Sequence, residues 1–98
     1  MTITKNQNGD SLTVALEGRL DTTTAPELDK ALRDSLAGVT DLTLDFEKLE
    51  YISSAGLRVL LTLHKAMSKR GRMKVCNVGE IVREVFEVTG FVDILEIA

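Results

Sequence analysis

The pattern of apolar and polar residues predicts a pair of strands at the start of the chain. Apolar and polar residues alternate between Leu12 and Leu20, which is the period-two pattern of a strand with one buried face. The preceding segment, residues 6–10, is rich in turn-forming residues, and its Asn8-Gly9 dipeptide is typical of a tight hairpin. Residues 2–20 are therefore predicted to form strand, turn and strand.

A first helix is predicted to follow this strand pair. Thr23 or Thr24 can cap the helix, and Pro26 is well placed in its first turn. Apolar residues then recur at helical spacing on one side, with charged residues on the other. Gly38 is the predicted stop, because glycine readily adopts the conformation that ends a helix.

A second strand and a long central helix are predicted next. Residues 41–52 carry a β pattern interrupted by the charged Glu47-Lys48, which we interpret as part of a connection. The helix spans residues 54–69 and ends at Gly71. Its broad apolar face consists of Leu57, Leu60, Leu61, Leu63, Ala66 and Met67.

The last third of the chain predicts a short strand and a short helix. The strand covers residues 73–78 and the helix runs from Glu80 to Gly90. Residues 91–97 return to an extended, partly alternating form that can add a final strand. The predicted buried stripe of this helix consists of Ile81, Val82, Val85 and Phe86.

The order of elements, β-β-α-β-α-β-α, defines the fold class. Strands that alternate with single helices imply crossover connections and parallel neighbours, whereas the first hairpin adds an antiparallel edge. We therefore expect an α/β fold in which residues 1–98 form a single domain. Its mixed β-sheet has an antiparallel N-terminal hairpin, and its helices pack against the sheet.

Charge and composition narrow the classes of function. The 98 residues carry a net charge of −3, so the basic surface typical of nucleic-acid binding is missing and no direct nucleic-acid contact is expected. The apolar runs are too short to cross a bilayer, and no membrane association is expected. The N-terminal residues lack the layout of a secretory signal, and the single Cys76 has no partner for a disulfide. These features predict a cytoplasmic protein.

Metal, cofactor and hydrolase chemistry are poorly supported. His64 and Cys76 are the only soft metal ligands and match no zinc pattern, so no metal and no cofactor are expected. His64 lies on the same predicted helix as Ser54, about 15 Å away at roughly 1.5 Å per residue, so it cannot act as a base for that serine. The serines also lack the Gly-x-Ser-x-Gly elbow of esterases. The protein is therefore not expected to be an enzyme.

The Ser53-Ser54-Ala55-Gly56 segment at the start of the central helix has two interpretations. Serine side chains there can accept hydrogen bonds from the free first-turn N–H groups, which is a purely structural capping role. An exposed hydroxyl at a helix N-terminus is also a position where an added phosphate is well tolerated. The two neighbouring serines leave open which one caps the helix and which one accepts phosphate.

The segment Leu49-Glu50-Tyr51-Ile52-Ser53-Ser54-Ala55-Gly56-Leu57-Arg58-Val59-Leu60-Leu61 closely resembles the signature of the STAS domain, specifically that of bacterial anti-sigma factor antagonists. That signature reads hydrophobic-hydrophobic-Asp-Ser-Ser/Thr/Ala-Gly-Leu. Residues 16–21 together with Thr24-Ala25 resemble the family's Gly-x-Leu-Asp segment, and residues 42–46 resemble its central strand. The resemblance covers essentially the whole chain in the expected order.

The resemblance implies a partner-switching regulator whose phosphorylated serine maps onto Ser54. The family's frequent Asp before the acceptor is Ser53 here, so the role of that acidic side chain is missing or is supplied by Asp21 or Asp45. Ser53 itself is a minor candidate acceptor. The unphosphorylated protein would bind an anti-sigma factor and free a sigma factor, and phosphorylation would release it.

The resemblance also implies partners and a contact surface. The partners are an anti-sigma factor of the GHKL serine-kinase type and a metal-dependent serine phosphatase of the PPM type, and the free protein is expected to be monomeric. The expected partner-binding residues are Asp21, Thr22, Thr23, Thr24, Ser53, Ser54, Ala55, Gly56 and Arg58.

Two other interpretations stay open for the same segments. In one, the chain is a STAS docking subunit of a transport, sensor or other regulatory complex without phosphate control. In the other, Ser53–Gly56 binds a nucleotide phosphate, although the glycine-rich loop and lysine of a P-loop are missing.

Overall fold

The computed structural model describes all 98 residues, and its elements follow the predicted order. The strands are β1 (Thr2–Asn8), β2 (Ser11–Leu20), β3 (Asp41–Ile52), β4 (Arg72–Cys76) and β5 (Glu96–Ile97). The helices are α1 (Ala25–Arg33), α2 (Ser54–Ser68) and α3 (Glu80–Thr89), followed by a 3₁₀ turn over Phe91–Asp93. No helix has both the length and the apolar character needed to cross a bilayer.

The strands form one mixed sheet in the order β1-β2-β3-β4-β5. β1 is antiparallel to β2, and every other neighbouring pair is parallel. Parallel neighbours are joined by right-handed crossovers, and a sheet whose order follows the sequence places all such crossovers on the same face. The predicted α/β fold, with its antiparallel N-terminal hairpin, is therefore confirmed.

The core lies between this face of the sheet and the helices. It contains 23 buried residues, all apolar, and no buried polar or charged residue. In β2 the buried residues alternate strictly from Leu12 to Leu16, as the period-two pattern predicts. Phe46 of β3 and Phe86 of α3 pack with ring centroids 6.4 Å apart, which joins the last helix to the middle of the sheet.

β3 is longer than expected because it contains two irregularities. The pairing with β2 shifts between Ala15 and Glu17 and again between Gly18 and Arg19, and at each shift β3 contributes one extra residue. Glu47 and Lys48 sit at the first shift and are both exposed, so they belong to the strand rather than to a connection. With these two β-bulges in β3, both strands end at the same edge of the sheet, where Leu20 pairs with Ile52.

The first helix ends earlier than predicted. α1 stops at Arg33 instead of continuing to Gly38. Beyond it the backbone tightens, since Ser35 N donates to Leu32 O at 3.0 Å and Val39 N donates to Leu36 O at 3.0 Å. These turns keep Leu36 and Val39 buried, so apolar spacing continues after the helix has ended.

The C-terminal segment also differs from the extended form predicted for residues 91–97. A 3₁₀ turn occupies its first half, and Phe91 stacks on Phe86 with ring centroids 6.4 Å apart. The apolar residues that suggested alternation therefore pack at a turn. Only the two residues of β5 join the sheet, beside β4.

The buried stripe of α3 is narrower than predicted. Val82 and Phe86 are buried and Val85 is half-buried, but Ile81 is 61% exposed. Consecutive helical residues differ in direction by about 100°, so Ile81 points away from the face that carries Val82.

Candidate functional site

Two loops meet where β2 and β3 end. Leu20 and Ile52 are partners in the parallel ladder, so the chain leaves both strands at the same edge of the sheet. The Ser53 backbone N–H then donates to the Leu20 carbonyl at 2.9 Å. The Asp21–Thr24 loop and the start of α2 are thereby held side by side, as the parallel arrangement of strands requires.

The Asp21–Thr24 loop is fixed by its own hydrogen bonds. The Asp21 carboxylate accepts from the backbone N–H groups of Thr23 at 3.0 Å and Thr24 at 3.1 Å. Both bonds stabilise the charged carboxylate and so lower the pKa of Asp21, and the bond from Thr24 has the larger effect. Thr22 and Thr23 are exposed at the tip of the loop. The loop therefore presents two threonines on a rigid frame.

Thr24 occupies the N-cap position of α1, but it does not cap the helix with its side chain. Its hydroxyl accepts from Asp21 N at 2.8 Å and lies 2.7 Å from the Arg19 carbonyl, to which it donates. The expected threonine cap is thus replaced by a bond network that closes the loop. Thr24 stabilises the loop rather than the helix end.

The two serines at the start of α2 have different environments. Ser53 has an extended backbone and is the N-cap, and its hydroxyl accepts from Gly56 N at 3.5 Å. Ser54 is the first residue of the helix and is exposed, and its hydroxyl makes no hydrogen bond within the protein. The structure therefore gives the cap to Ser53 and leaves the Ser54 hydroxyl free.

Gly56 allows α2 to begin directly against the strand ends. A Cβ atom at this position would lie 2.8 Å from Ile52 Cγ1, 2.8 Å from Leu20 Cγ and 3.0 Å from the Leu20 carbonyl oxygen. Such distances are shorter than normal van der Waals contacts. A side chain at Gly56 would therefore be crowded by the adjacent strands.

A groove between α1 and α2 opens beside the two loops. Its lining includes Thr22, Ala55 and Arg58, and farther along it Asp29 and Arg33 form an ion pair. Ala55 is half-buried, whereas Arg58 is exposed and takes part in no ion pair. The structure thus brings all nine predicted contact residues to one end of the molecule.

One contact near this site was missed by sequence reasoning. The Arg19 guanidinium lies 4.4 Å from the centroid of the Tyr51 ring, and Arg19 Nε lies 3.9 Å from Asp21 Oδ2. Arg19 and Tyr51 lie opposite each other on β2 and β3 only because of the second shift in the pairing of these strands. No local pattern in the sequence gives that register.

The remaining chemically active residues lie elsewhere. His64 is half-buried and lines a separate groove with Ser68 and Ile94. Cys76 is half-buried in β4, and desolvation raises the pKa of its thiol. No group of three or more His, Cys, Asp or Glu side chains is placed to hold a metal ion.

The comparisons with known proteins identify the family. The STAS domain family model matches residues 2–98, and the chain therefore belongs to the STAS domain family. BtrV of Bordetella bronchiseptica, which is named as an anti-sigma factor antagonist, is 35% identical over 100 residues, which cover 100% of this chain and 86% of that protein.

Solved structures share the fold at lower identity. A Thermotoga maritima protein described as an anti-sigma factor antagonist superposes with a TM-score of 0.90 at 21% identity, covering 97% of this chain and 84% of that one. The phosphorylated form of SpoIIAA from Bacillus superposes with a TM-score of 0.76 at 20% identity, covering 99% and 91% of the two chains. At these identities the likeness concerns the fold alone.

Proposed function

We propose that this protein is an anti-sigma factor antagonist controlled by phosphorylation of Ser54. The observation that carries the proposal is the exposed, unbonded Ser54 hydroxyl beside the rigid Asp21–Thr24 loop. The similarity of the whole chain to BtrV supports an anti-sigma factor as the partner. The unphosphorylated protein binds that partner and frees a sigma factor, and phosphorylation ends the complex.

The contact surface consists of the Asp21–Thr24 loop, Ser53–Gly56 and Arg58. Thr22, Thr23 and Ser54 supply exposed hydroxyl groups at one end of the sheet, and Arg58 supplies an unpaired cation one helical turn beyond Ser54. Asp21 acts by holding the loop, since its carboxylate is already occupied by backbone N–H groups. Exposed hydroxyl groups and a free cation beside the groove between α1 and α2 suit a protein partner.

A phosphate at Ser54 would disrupt a complex without damaging the domain. A phosphoserine carries about −1.5 to −2 charges at neutral pH, and burying that charge in an interface imposes desolvation and repulsion. Within the free protein, the first turn of α2 contains no acidic side chain, and the positive end of the helix dipole favours the added charge. The same modification is therefore harmful to binding and harmless to the fold.

The proposed partners are a GHKL-type serine kinase that is also the anti-sigma factor, and a PPM-type phosphatase that restores the free hydroxyl. In the absence of a partner we expect a monomer. The fold relative SpoIIAA is described in both unphosphorylated and phosphorylated forms, which is consistent with a reversible modification in this family.

The binding half of the test uses Ser54→Ala and Ser54→Asp. Each variant is used to capture partners from the source cell, and the captured kinase is then purified and titrated against both. We expect Ser54→Ala to bind and Ser54→Asp to bind roughly a hundredfold more weakly, which corresponds to about 3 kcal/mol. Equal binding of one non-kinase partner by both variants would instead make the chain a docking subunit of another complex.

The phosphorylation half of the test uses Ser53→Ala as the matched control. Loss of a serine N-cap costs about 0.5–2 kcal/mol of stability, but this variant keeps the Ser54 hydroxyl. With the kinase and ATP, mass spectrometry should find one phosphate on the wild type and on Ser53→Ala, and none on Ser54→Ala. A phosphate on Ser53 would refute the assignment of the acceptor.

A further inference from the structure

An exposed apolar surface lies on α3, outside the site already described. Ile81 is 61% exposed and Val88 is 82% exposed, and the half-buried Val85 lies between them. At positions i, i+4 and i+7 these side chains follow one side of the helix. Together with Glu84 and Thr89 they form one continuous patch on the outer side of the helix. We call Ile81, Val85 and Val88 the α3 apolar stripe.

The solvent side of the α3 apolar stripe is acidic. Glu84 lies three residues after Ile81 and four before Val88, and Glu80 and Glu87 are its neighbours at i−4 and i+3. All three glutamates are exposed, and none takes part in an ion pair.

The single cation of the helix does not balance this charge. Arg83 lies two residues from both Ile81 and Val85, which places it about 200° around the helix on the opposite side. Arg83 neighbours Glu80 and Glu87 on the helix, at i+3 and i−4, whereas Glu84, the one charged residue within the patch, has no cation of α3 beside it.

This charge decides between the possible occupants. A pairing of two copies through the stripe would bring two sets of these glutamates to one interface, on chains that each carry a net charge of −3. An anionic membrane surface would be repelled in the same way. A segment with apolar residues and flanking cations would cover the apolar side chains of the stripe and pair with the glutamates beside it.

We propose that the α3 apolar stripe docks an amphipathic helix of another protein, whose apolar residues are flanked by lysine or arginine. A helix that packs lengthwise against the stripe meets it with apolar residues at the same i, i+4, i+7 spacing on its own face. The small area of the stripe fits a transient contact, and electrostatic attraction would speed its formation. The proposal does not depend on phosphorylation, because the stripe shares no residue with the Ser54 surface.

The test is a titration of the isotopically labelled full chain, followed by nuclear magnetic resonance. The probes are two synthetic helical peptides with the same leucine face, one with lysine and the other with glutamate on the polar side. We expect the lysine peptide to perturb α3 resonances, to bind more weakly at high salt, and to lose at least tenfold in affinity with Val88→Lys. The glutamate peptide should not bind.

Charge-matched variants separate the α3 apolar stripe from general attraction. Glu84→Gln should weaken binding of the lysine peptide severalfold, whereas Glu27→Gln, which removes the same charge from an exposed position on α1, should leave it unchanged. Ser54→Asp should also leave it unchanged, which distinguishes this surface from the proposed switch. Val88→Lys should keep the wild-type unfolding midpoint, since the side chain is 82% exposed.

Three results would overturn the proposal. The first is equal binding of both peptides, and the second is a loss of affinity as large with Glu27→Gln as with Glu84→Gln. The third is self-association of the wild type in sedimentation experiments that Val88→Lys abolishes, which would make a second copy the occupant.

Discussion

Replacing Gly56 with alanine tests whether the close contact between α2 and the strand ends positions the Ser54 turn. The new Cβ would lie 2.8 Å from side-chain atoms of both Leu20 and Ile52. Both side chains are at most 1% exposed, so neither can move into solvent. The Leu20 carbonyl, 3.0 Å from the new atom, also holds Ser53 N. The helix start must therefore shift away from the sheet.

The magnitude follows from two opposing effects. Overpacking a well-packed core costs about 1–3 kcal/mol. Alanine recovers about 0.5–1 kcal/mol relative to glycine inside a helix. We expect a net loss of about 1–2 kcal/mol, and at about 4–8 °C per kcal/mol for a domain of this size the melting temperature should fall by roughly 5–15 °C.

The assay is urea unfolding followed by circular dichroism, with Gly79→Ala as the matched control. Gly79 has φ −72 at the start of α3, and a Cβ there would meet nothing within 4 Å. Because Gly79 is the N-cap of α3 and alanine is a poorer N-cap than glycine, the control should cost up to about 1 kcal/mol, less than Gly56→Ala. If Gly56→Ala behaves like Gly79→Ala, the reasoning from close packing at the helix start is wrong.

Two further predictions rest on single contacts. Gly71→Ala should cost more stability than Gly56→Ala, about 3 kcal/mol or more, which is the upper end for overpacking. The reason is that its Cβ would lie 1.9 Å from the Thr40 carbonyl oxygen, which accepts a hydrogen bond from Arg72 N. A smaller loss of stability than that of Gly56→Ala in the same urea assay would contradict this prediction. Asp21→Asn should be less stable than the wild type at neutral pH, because the lowered pKa of Asp21 stabilises the fold above the ordinary carboxyl pKa of about 3.9. That advantage is lost as the pH falls through the lowered pKa, so the urea midpoints of the two proteins should converge in strongly acidic solution, and a constant difference at every pH would count against the charge as its cause.

Most elements could be predicted because their signals are local. The alternation in β2 and the cap and stop residues of α2 are properties of neighbouring residues, and both elements appear where they were expected. The end of α1 was misplaced because Leu36 keeps helical spacing while the backbone has already formed tighter turns. Ile81 was misassigned because periodicity does not show how much of an apolar face the sheet can cover.

The sequence could predict where the site lies, but not the individual contacts within it. Parallel strands bring the Asp21 loop to Ser53, and the element order alone implies this. Which serine caps the helix depends on backbone angles, since Ser53 is extended and Ser54 is helical. The Arg19–Tyr51 contact depends on the shifted register between β2 and β3, which the residue pattern does not predict.

The strand order described above also has a kinetic consequence. Every strand pairs with its neighbours in sequence, so no pairing has to close a loop longer than one connecting helix. Each of these closures must still be made before its parallel pairing forms, as when Ser11 meets Asp41 and Asp41 meets Arg72, and parallel pairing of this kind is slower than the formation of local helices and hairpins. The sheet can then grow one crossover at a time from the N-terminal hairpin, while β5, held by two paired residues, joins last and exchanges its amide hydrogens first.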